Sequence, residues 1–212
     1  MKFLVRGFLS AGLLASSSLM RGTHAFSSAS ATISPRVALG AGCYWGTEKF
    51  VKSKFEIKRG EVGFMHPDAA ANVRQPNPSY KQVCSSNTGY VEVYDVELAN
   101  ATEEKFEALI KHFFTFHDPT TMNAQGNDRG TQYASFIFCY DQKQVEIANK
   151  VKAELQGRID SHGVRAFAGY KVTTEIVSAT AFYKAHDEHQ LYLDKNPGGY
   201  CNHKSRFSWE EL

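Results

Sequence analysis

Short apolar runs alternate along the chain with segments in which apolar positions recur every three or four residues, and this alternation predicts mixed strand and helix. Arg36–Gly40 reads as a strand, Tyr44–Lys54 as a helix and Ile57–Phe64 as a second strand. Between His66 and Pro78, three prolines and two asparagines predict a loop. Tyr80–Cys84 reads as a short helix and Gly89–Leu98 as a long strand. Thr102 or Asn100 caps a helix running to about His112, and a polar loop spans His117–Gly130. A strand over Ala134–Tyr140, a helix over Gln142–Gln156, a strand near Tyr170–Val177 and a last helix ending before Asn196-Pro197-Gly198-Gly199 complete the pattern. The order β-α-β-β-α-β predicts an α+β fold, a ferredoxin-like α/β sandwich with a C-terminal extension.

The first 47 residues hold no Asp or Glu. Lys2 and Arg6 precede an apolar stretch over Phe8–Leu19, and Thr23-His24-Ala25 has the small-x-small form of a cleavage site. The stretch is shorter than the roughly 20 residues of a membrane span. A hydroxylated, acid-free segment, Phe26–Thr32, follows, as in organellar transit peptides. Residues 1–33 are therefore expected to be a targeting presequence of the two-part kind used by complex plastids, with mitochondrial import second and secretion third. Residues 34–212 are expected to be one catalytic domain with a flexible tail over 196–212. Loss of Lys2, Arg6 and Arg21 turns the net charge from +2 to −1, so the basicity belongs to the leader. No basic stripe with interleaved aromatics remains, which argues against nucleic acid as a partner.

The chemistry-bearing feature is Cys43, set in Gly40-Ala41-Gly42-Cys43-Tyr44-Trp45-Gly46 between a strand and a helix. At a helix N-terminus, free backbone N–H groups favour the thiolate, so its pKa is expected to fall. A second clue lies in the strand Gly89–Leu98, where alternation puts Glu92 on one face with Tyr90, Tyr94, Val96 and Leu98. A carboxyl in apolar company is costly to ionise, so Glu92 is expected to stay protonated near neutrality and to donate a proton.

The four cysteines, Cys43, Cys84, Cys139 and Cys201, form no C-x-x-C pair, which excludes a zinc ribbon and a thioredoxin-type motif. Cys84 and Cys139 sit in apolar settings and read as structural. His186-Asp187-Glu188-His189 lacks the spacing and internal Glu of a zinc-protease helix and reads as a polar surface helix. Gly40-Ala41-Gly42 after a strand suggests a dinucleotide fingerprint, but Trp45 stands where that motif needs glycine. A non-enzymatic redox switch or partner-binding protein built on Cys43 is the rival from another class. It would need no acid at position 92.

Five separated segments carry a resemblance. GCYWGTE at 42–48, Y-x-x-VC at 80–84, TGYVEV at 88–93, HDPTTMNAQGNDRGTQY at 117–133 and HQLYLDKNPGGYC at 189–201 together resemble the A class of peptide methionine sulfoxide reductases, in that family's order. The resemblance implies Cys43 as nucleophile, Glu92 as acid, and Tyr80 and Tyr133 as the hydroxyls that hold the sulfoxide oxygen. Tyr44 and Trp45 would form the pocket for the S-methyl group, Asp128 would support the site from its turn, and Cys201 would be the resolving thiol. A sulfoxide sulfur is a poor electrophile until its oxygen is protonated or strongly hydrogen-bonded, so a neutral acid with two phenols is an apt donor set. The implied reaction is thiol-dependent reduction of methionine S-sulfoxide through a sulfenic acid on Cys43 and a Cys43–Cys201 disulfide, which thioredoxin reduces. It requires no metal or organic cofactor, and a monomer without membrane contact is expected.

The chain also departs from the family pattern. Relatives commonly have Phe at the position of Tyr44, which places a hydroxyl at the pocket rim. The segment after Val62-Gly63-Phe64 lacks the usual paired glycines, running instead Met65-His66-Pro67-Asp68 into three alanines. No cysteine follows Cys201, so a relay through a further tail thiol is excluded unless Cys84 or Cys139 takes its place.

Overall fold

The computed structural model describes residues 32–85, 88–162 and 165–210. Apart from Thr32 and Ile33, the expected leader over residues 1–33 lies outside them. In chain order, β1 (Arg36–Ala41) leads into α1 (Tyr44–Lys52) and β2 (Ile57–Met65). Two short helices, α2 (Ala69–Arg74) and α3 (Tyr80–Cys84), precede β3 (Val91–Leu98) and α4 (Glu103–Phe116). A small hairpin, β4 (Ala124–Gln125) with β5 (Asp128–Arg129), and a 3₁₀ turn over Thr131–Tyr133 lead to β6 (Ser135–Cys139) and α5 (Gln142–His162). The chain continues through β7 (Glu175–Ser178), β8 (Phe182–Lys184) and the single turn α6 (Tyr192–Lys195).

The main sheet has the order β7-β6-β1-β3-β2-β8. Its middle four strands, β6-β1-β3-β2, pair antiparallel, with α1 linking β1 to β2 and α4 linking β3 to β6. This is the split β-α-β arrangement of a ferredoxin-like sandwich, as the element order predicts. β7 adds parallel to β6, and β8 adds antiparallel to β2. Alternate residues divide the sheet between two apolar layers. Val37, Leu39, Tyr94, Val96 and Ile137 meet Phe106, Leu109, Ile110 and Phe113 of α4, while Ala38, Val91, Val93, Phe136 and Phe138 form a second buried cluster on the reverse face. With both faces covered, the central strands are near-continuously apolar.

The structure corrects several element boundaries. The segment expected as loop over His66–Pro78 contains α2, whose first turn is started by Asp68 accepting from the Ala70 N–H at 2.8 Å. α4 runs past His112 to Phe116 because Phe113, Phe114 and Phe116 are all buried, and His117 Nδ1 then bonds the Phe113 carbonyl at 2.8 Å. α5 extends beyond Gln156 to His162, since Gly157 has open space around it and Ile159 is buried in the core. The strand expected from Tyr170 begins at Glu175, and Tyr170 is exposed. The last helix shrinks to one turn.

On the reverse face, the wholly buried Asp95 of β3 binds Arg36 through Nε and Nη2 at 2.6–3.0 Å and accepts from the Tyr140 hydroxyl at 2.8 Å. The Arg36 guanidinium also lies over the Tyr140 ring, 4.6 Å from its centre. This network ties β1, β3 and the end of β6 together. Removing the carboxylate leaves a guanidinium and a phenol without their acceptor, so Asp95→Ala is expected to lower unfolding free energy by about 3 kcal/mol in urea titrations.

Candidate active site

Cys43 stands where β1 hands over to α1. Gly42 makes the bend with φ +90°, and a Cβ there would sit 2.5 Å from Gln125 Cβ, so only glycine fits the corner. Cys43 is the N-cap of α1; its thiol makes no capping hydrogen bond, though the nearby backbone N–H of Trp45 favours the thiolate. The N–H of Tyr44 donates instead to Glu92 Oε2 at 3.2 Å. One free N–H at the helix end is thus taken by a carboxyl, beside the sulfur of the capping residue. The Tyr44 N–H thereby links the residue after Cys43 to Glu92.

Glu92 lies in the middle of the sheet and is 2% exposed. Burial pushes its pKa up to about 8; the Tyr44 N–H opposes the rise and the charge of Asp128 adds to it. It is therefore protonated at neutral pH, as its apolar strand face predicts. The expectation for Cys43 is corrected. Its pKa is raised, above all by desolvation, next by the charge of Glu92, and the Trp45 N–H lowers it less than these raise it. A helix end contributes up to about 2 kcal/mol in favourable geometry, which does not offset burial of a thiolate at 7% exposure. The resting group is a thiol.

Tyr80 opens α3, held by a reciprocal cap in which Ser79 and Gln82 bond each other's backbone N–H. Its phenol lies near the Cys84 thiol, which raises the phenol's pKa further after desolvation, and its ring lies 4.5 Å from His189. Cys84, read as structural, therefore borders the site; Cys139 is a core residue of β6. Tyr133 ends the 3₁₀ turn, near enough to Glu92, Cys84, Asp128 and Cys43 for their charges to raise its pKa further after desolvation. The pKa of the Tyr80 phenol is raised as well, first by desolvation, so both hydroxyls keep their protons.

Tyr44 is not at a rim. It is 1% exposed, packs against Phe64 and His189, and its hydroxyl is buried without a partner among the described residues. Trp45 is half-buried and stacks on Tyr192 at 3.8 Å and on His189 at 5.7 Å. His189, expected on a surface helix, is instead buried in this aromatic stack, in a turn. Glu48 is a further buried carboxyl that residue patterns do not single out. Burial pushes it up to about 7, against the opposing charge of Lys52, and its Oε1 has no hydrogen-bond partner among the described residues.

The C-terminal segment expected to be flexible is bonded across this site. Asp128 Oδ1 accepts from the Tyr200 hydroxyl and Oδ2 from Asn202 Nδ2, each at 2.9 Å, so the carboxylate grips both neighbours of Cys201. Cys201 Sγ lies 3.8 Å from the His203 carbonyl oxygen and 4.0 Å from His203 Nδ1. The His203 ring donates from Nε2 to the Ala41 carbonyl at 2.7 Å and fills the space beside Gly46, where a Cβ would meet Nδ1 at 1.9 Å. Burial first, together with Arg206, pushes this imidazole down to about 4, so it is neutral. All four cysteines are free. Among the described residues, no group of three or more His, Cys, Asp or Glu could hold a metal, and no helix is long and apolar enough to cross a membrane.

Because Glu92 binds its proton more tightly folded than unfolded, it makes the native state less stable as pH rises from the ordinary carboxyl range towards 8. Glu92→Gln should remove that slope, about 1.4 kcal/mol per pH unit, so the variant gains on the wild type between pH 5 and 8 in urea titrations.

A family model described as peptide methionine sulfoxide reductase matches residues 35–212. A peptide methionine sulfoxide reductase MsrA of Ectopseudomonas mendocina is 40% identical over 166 residues, covering 78% of this chain and 70% of its own. The human mitochondrial peptide methionine sulfoxide reductase is 42% identical over 166 residues, covering 76% of this chain and 64% of its own. The crystal structure of reduced Mxr1 from Saccharomyces cerevisiae superposes with a TM-score of 0.70 at 34% identity, over 82% of this chain and 93% of that one. Mxr1 in complex with Trx2 matches at 0.50 and 20% identity, a likeness of fold. The match along residues 35–212, together with the identity to MsrA proteins over most of the chain, makes it a member of the peptide methionine sulfoxide reductase family, A class.

Proposed function

We propose that the chain reduces the S epimer of methionine sulfoxide in peptides and proteins, with Cys43 as nucleophile and Glu92 as acid. The observation that carries this reading is the start of α1, where Cys43 caps the helix and the next N–H, that of Tyr44, bonds a carboxyl that is protonated at pH 7. Tyr80 and Tyr133 hold the sulfoxide oxygen with neutral phenols, and Trp45 with the buried ring of Tyr44 supplies the apolar wall for the S-methyl group. The net step moves one oxygen. A Cys43 thiol and a sulfoxide give a Cys43 sulfenic acid and a thioether, with Glu92 and the phenols protonating or hydrogen-bonding the oxygen as its bond to the methionine sulfur breaks. Because Cys43 rests as a thiol, its proton leaves only as the sulfoxide oxygen gains one.

Cys201 then attacks the sulfenic acid, forming a Cys43–Cys201 disulfide and releasing water. Asp128 presents Cys201 by holding Tyr200 and Asn202, and an external dithiol, thioredoxin, returns both sulfurs to thiols. The complex of the related yeast protein with Trx2 supports that choice of reductant. Residues 1–33 are assigned as an organellar leader from their composition, for a plastid in the first place and a mitochondrion in the second, where the human relative belongs. The mature domain acts as a monomer without metal or organic cofactor.

Cys43→Ser is expected to abolish thiol-dependent reduction of the S epimer, and activity equal to wild type would overturn the assignment. Cys201→Ser should complete one turnover and then stall with thioredoxin. Glu92→Gln should lower kcat/KM by about 10²–10³, whereas a redox switch would be untouched. Since the acid form of Glu92 is the active one, kcat/KM should fall as pH rises above about 8 in the wild type.

A further inference from the structure

The sheet has two edges, and β8 forms the one beyond β2. Lys184 lies opposite Gly63, Tyr183 opposite Phe64 and Phe182 opposite Met65. The N–H of Ala185 bonds the Val62 carbonyl at 3.0 Å, which makes Gly63 and Lys184 a pair whose own backbone groups point away from each other. Alternation then turns the N–H and C=O of Tyr183 towards β2 and those of Phe182 and Lys184 outward. Among the described residues these four outward groups have no hydrogen-bond partner.

Beside that edge lies a cleft of about 250 Å³, between the turn Asn77–Ser79 and the strand end Lys184–His186. Phe64 and Tyr80 line it as well, and both also wall the site: Tyr80 packs on His189 at 4.5 Å and Phe64 on Tyr44 at 5.9 Å. Its volume is below the ~300–1,000 Å³ that encloses a whole small ligand, and it suits one side chain of a longer molecule.

We propose that the free edge of β8 and this cleft dock the extended polypeptide around an oxidised methionine. Flanking residues add as a strand on Phe182 and Lys184, one neighbouring side chain enters the cleft, and the sulfoxide passes Tyr80 to reach Cys43. Backbone pairing is indifferent to sequence, which fits an enzyme that repairs methionine in many contexts, and it requires a locally unfolded substrate. The inference rests on the reductase reading above and adds how the peptide is held.

The test uses the wild-type chain with a small dithiol reductant and compares N-acetyl-methionine sulfoxide with a short peptide carrying the sulfoxide at its centre. Two further peptides carry N-methyl groups on alternate amides, in opposite phase. The free peptide should show a lower KM than the N-acetyl compound. Methylation in one phase should raise KM about tenfold with kcat unchanged, and methylation in the other phase should leave both parameters as they were. Equal KM for the two methylated peptides would overturn strand addition. His186→Trp, at an exposed position on the cleft, should raise KM for the peptide alone; no change, or equal change for both substrates, would overturn the cleft. Failure to reduce N-acetyl-methionine sulfoxide at all would count against the reductase reading instead.

Discussion

The free backbone N–H groups at the start of α1 set the rest of the site. A helix leaves its first donors without internal partners, and here the first, at Tyr44, is committed to the carboxyl of Glu92, directly beside the thiol of the capping Cys43. That requires the helix to begin directly over the middle of β3, which in turn requires the tight corner at Gly42 and the antiparallel register of β1 on β3. Move the helix start by one residue and the acid and the sulfur no longer share an end. The fold is a means of holding that start in place.

The electrostatics that follow differ from those of a pre-ionised cysteine. Burial dominates at both groups, so the acid keeps its proton and the sulfur keeps its own. A buried neutral pair has little reason to react until a substrate brings in a basic oxygen. The arrangement protects the thiol from adventitious oxidation, since the reactive thiolate is not the resting species. Tyr80 and Tyr133 share this character, being phenols that remain neutral donors.

Much of this was legible in the residues alone. Small residues around Cys43, alternation that put Glu92 among apolar neighbours, and the element order each led to the observed arrangement. What escaped was non-local. The raised pKa of Cys43 depends on how deeply the corner is covered, which a helix-end argument does not contain. His189 reads as polar until Trp45 and Tyr192 close around it, and Glu48 looks like an ordinary helical charge until it is buried beside Leu191. β8 is only three residues long, too short to announce itself by periodicity, and α4 outran its expected end because consecutive phenylalanines blur the helical stripe.

Gly46 and His203 have one more implication. The imidazole occupies the space where any other residue at position 46 would carry its first side-chain carbon, and its ring is tied to the Ala41 carbonyl just before the corner. Turning α1 by a single residue, about 100° about its axis, would drive a neighbouring side chain into that ring. The end of the polypeptide thereby acts as a gauge for the angular setting of its first helix. A side chain at position 46 would require the His203 ring to be moved or replaced.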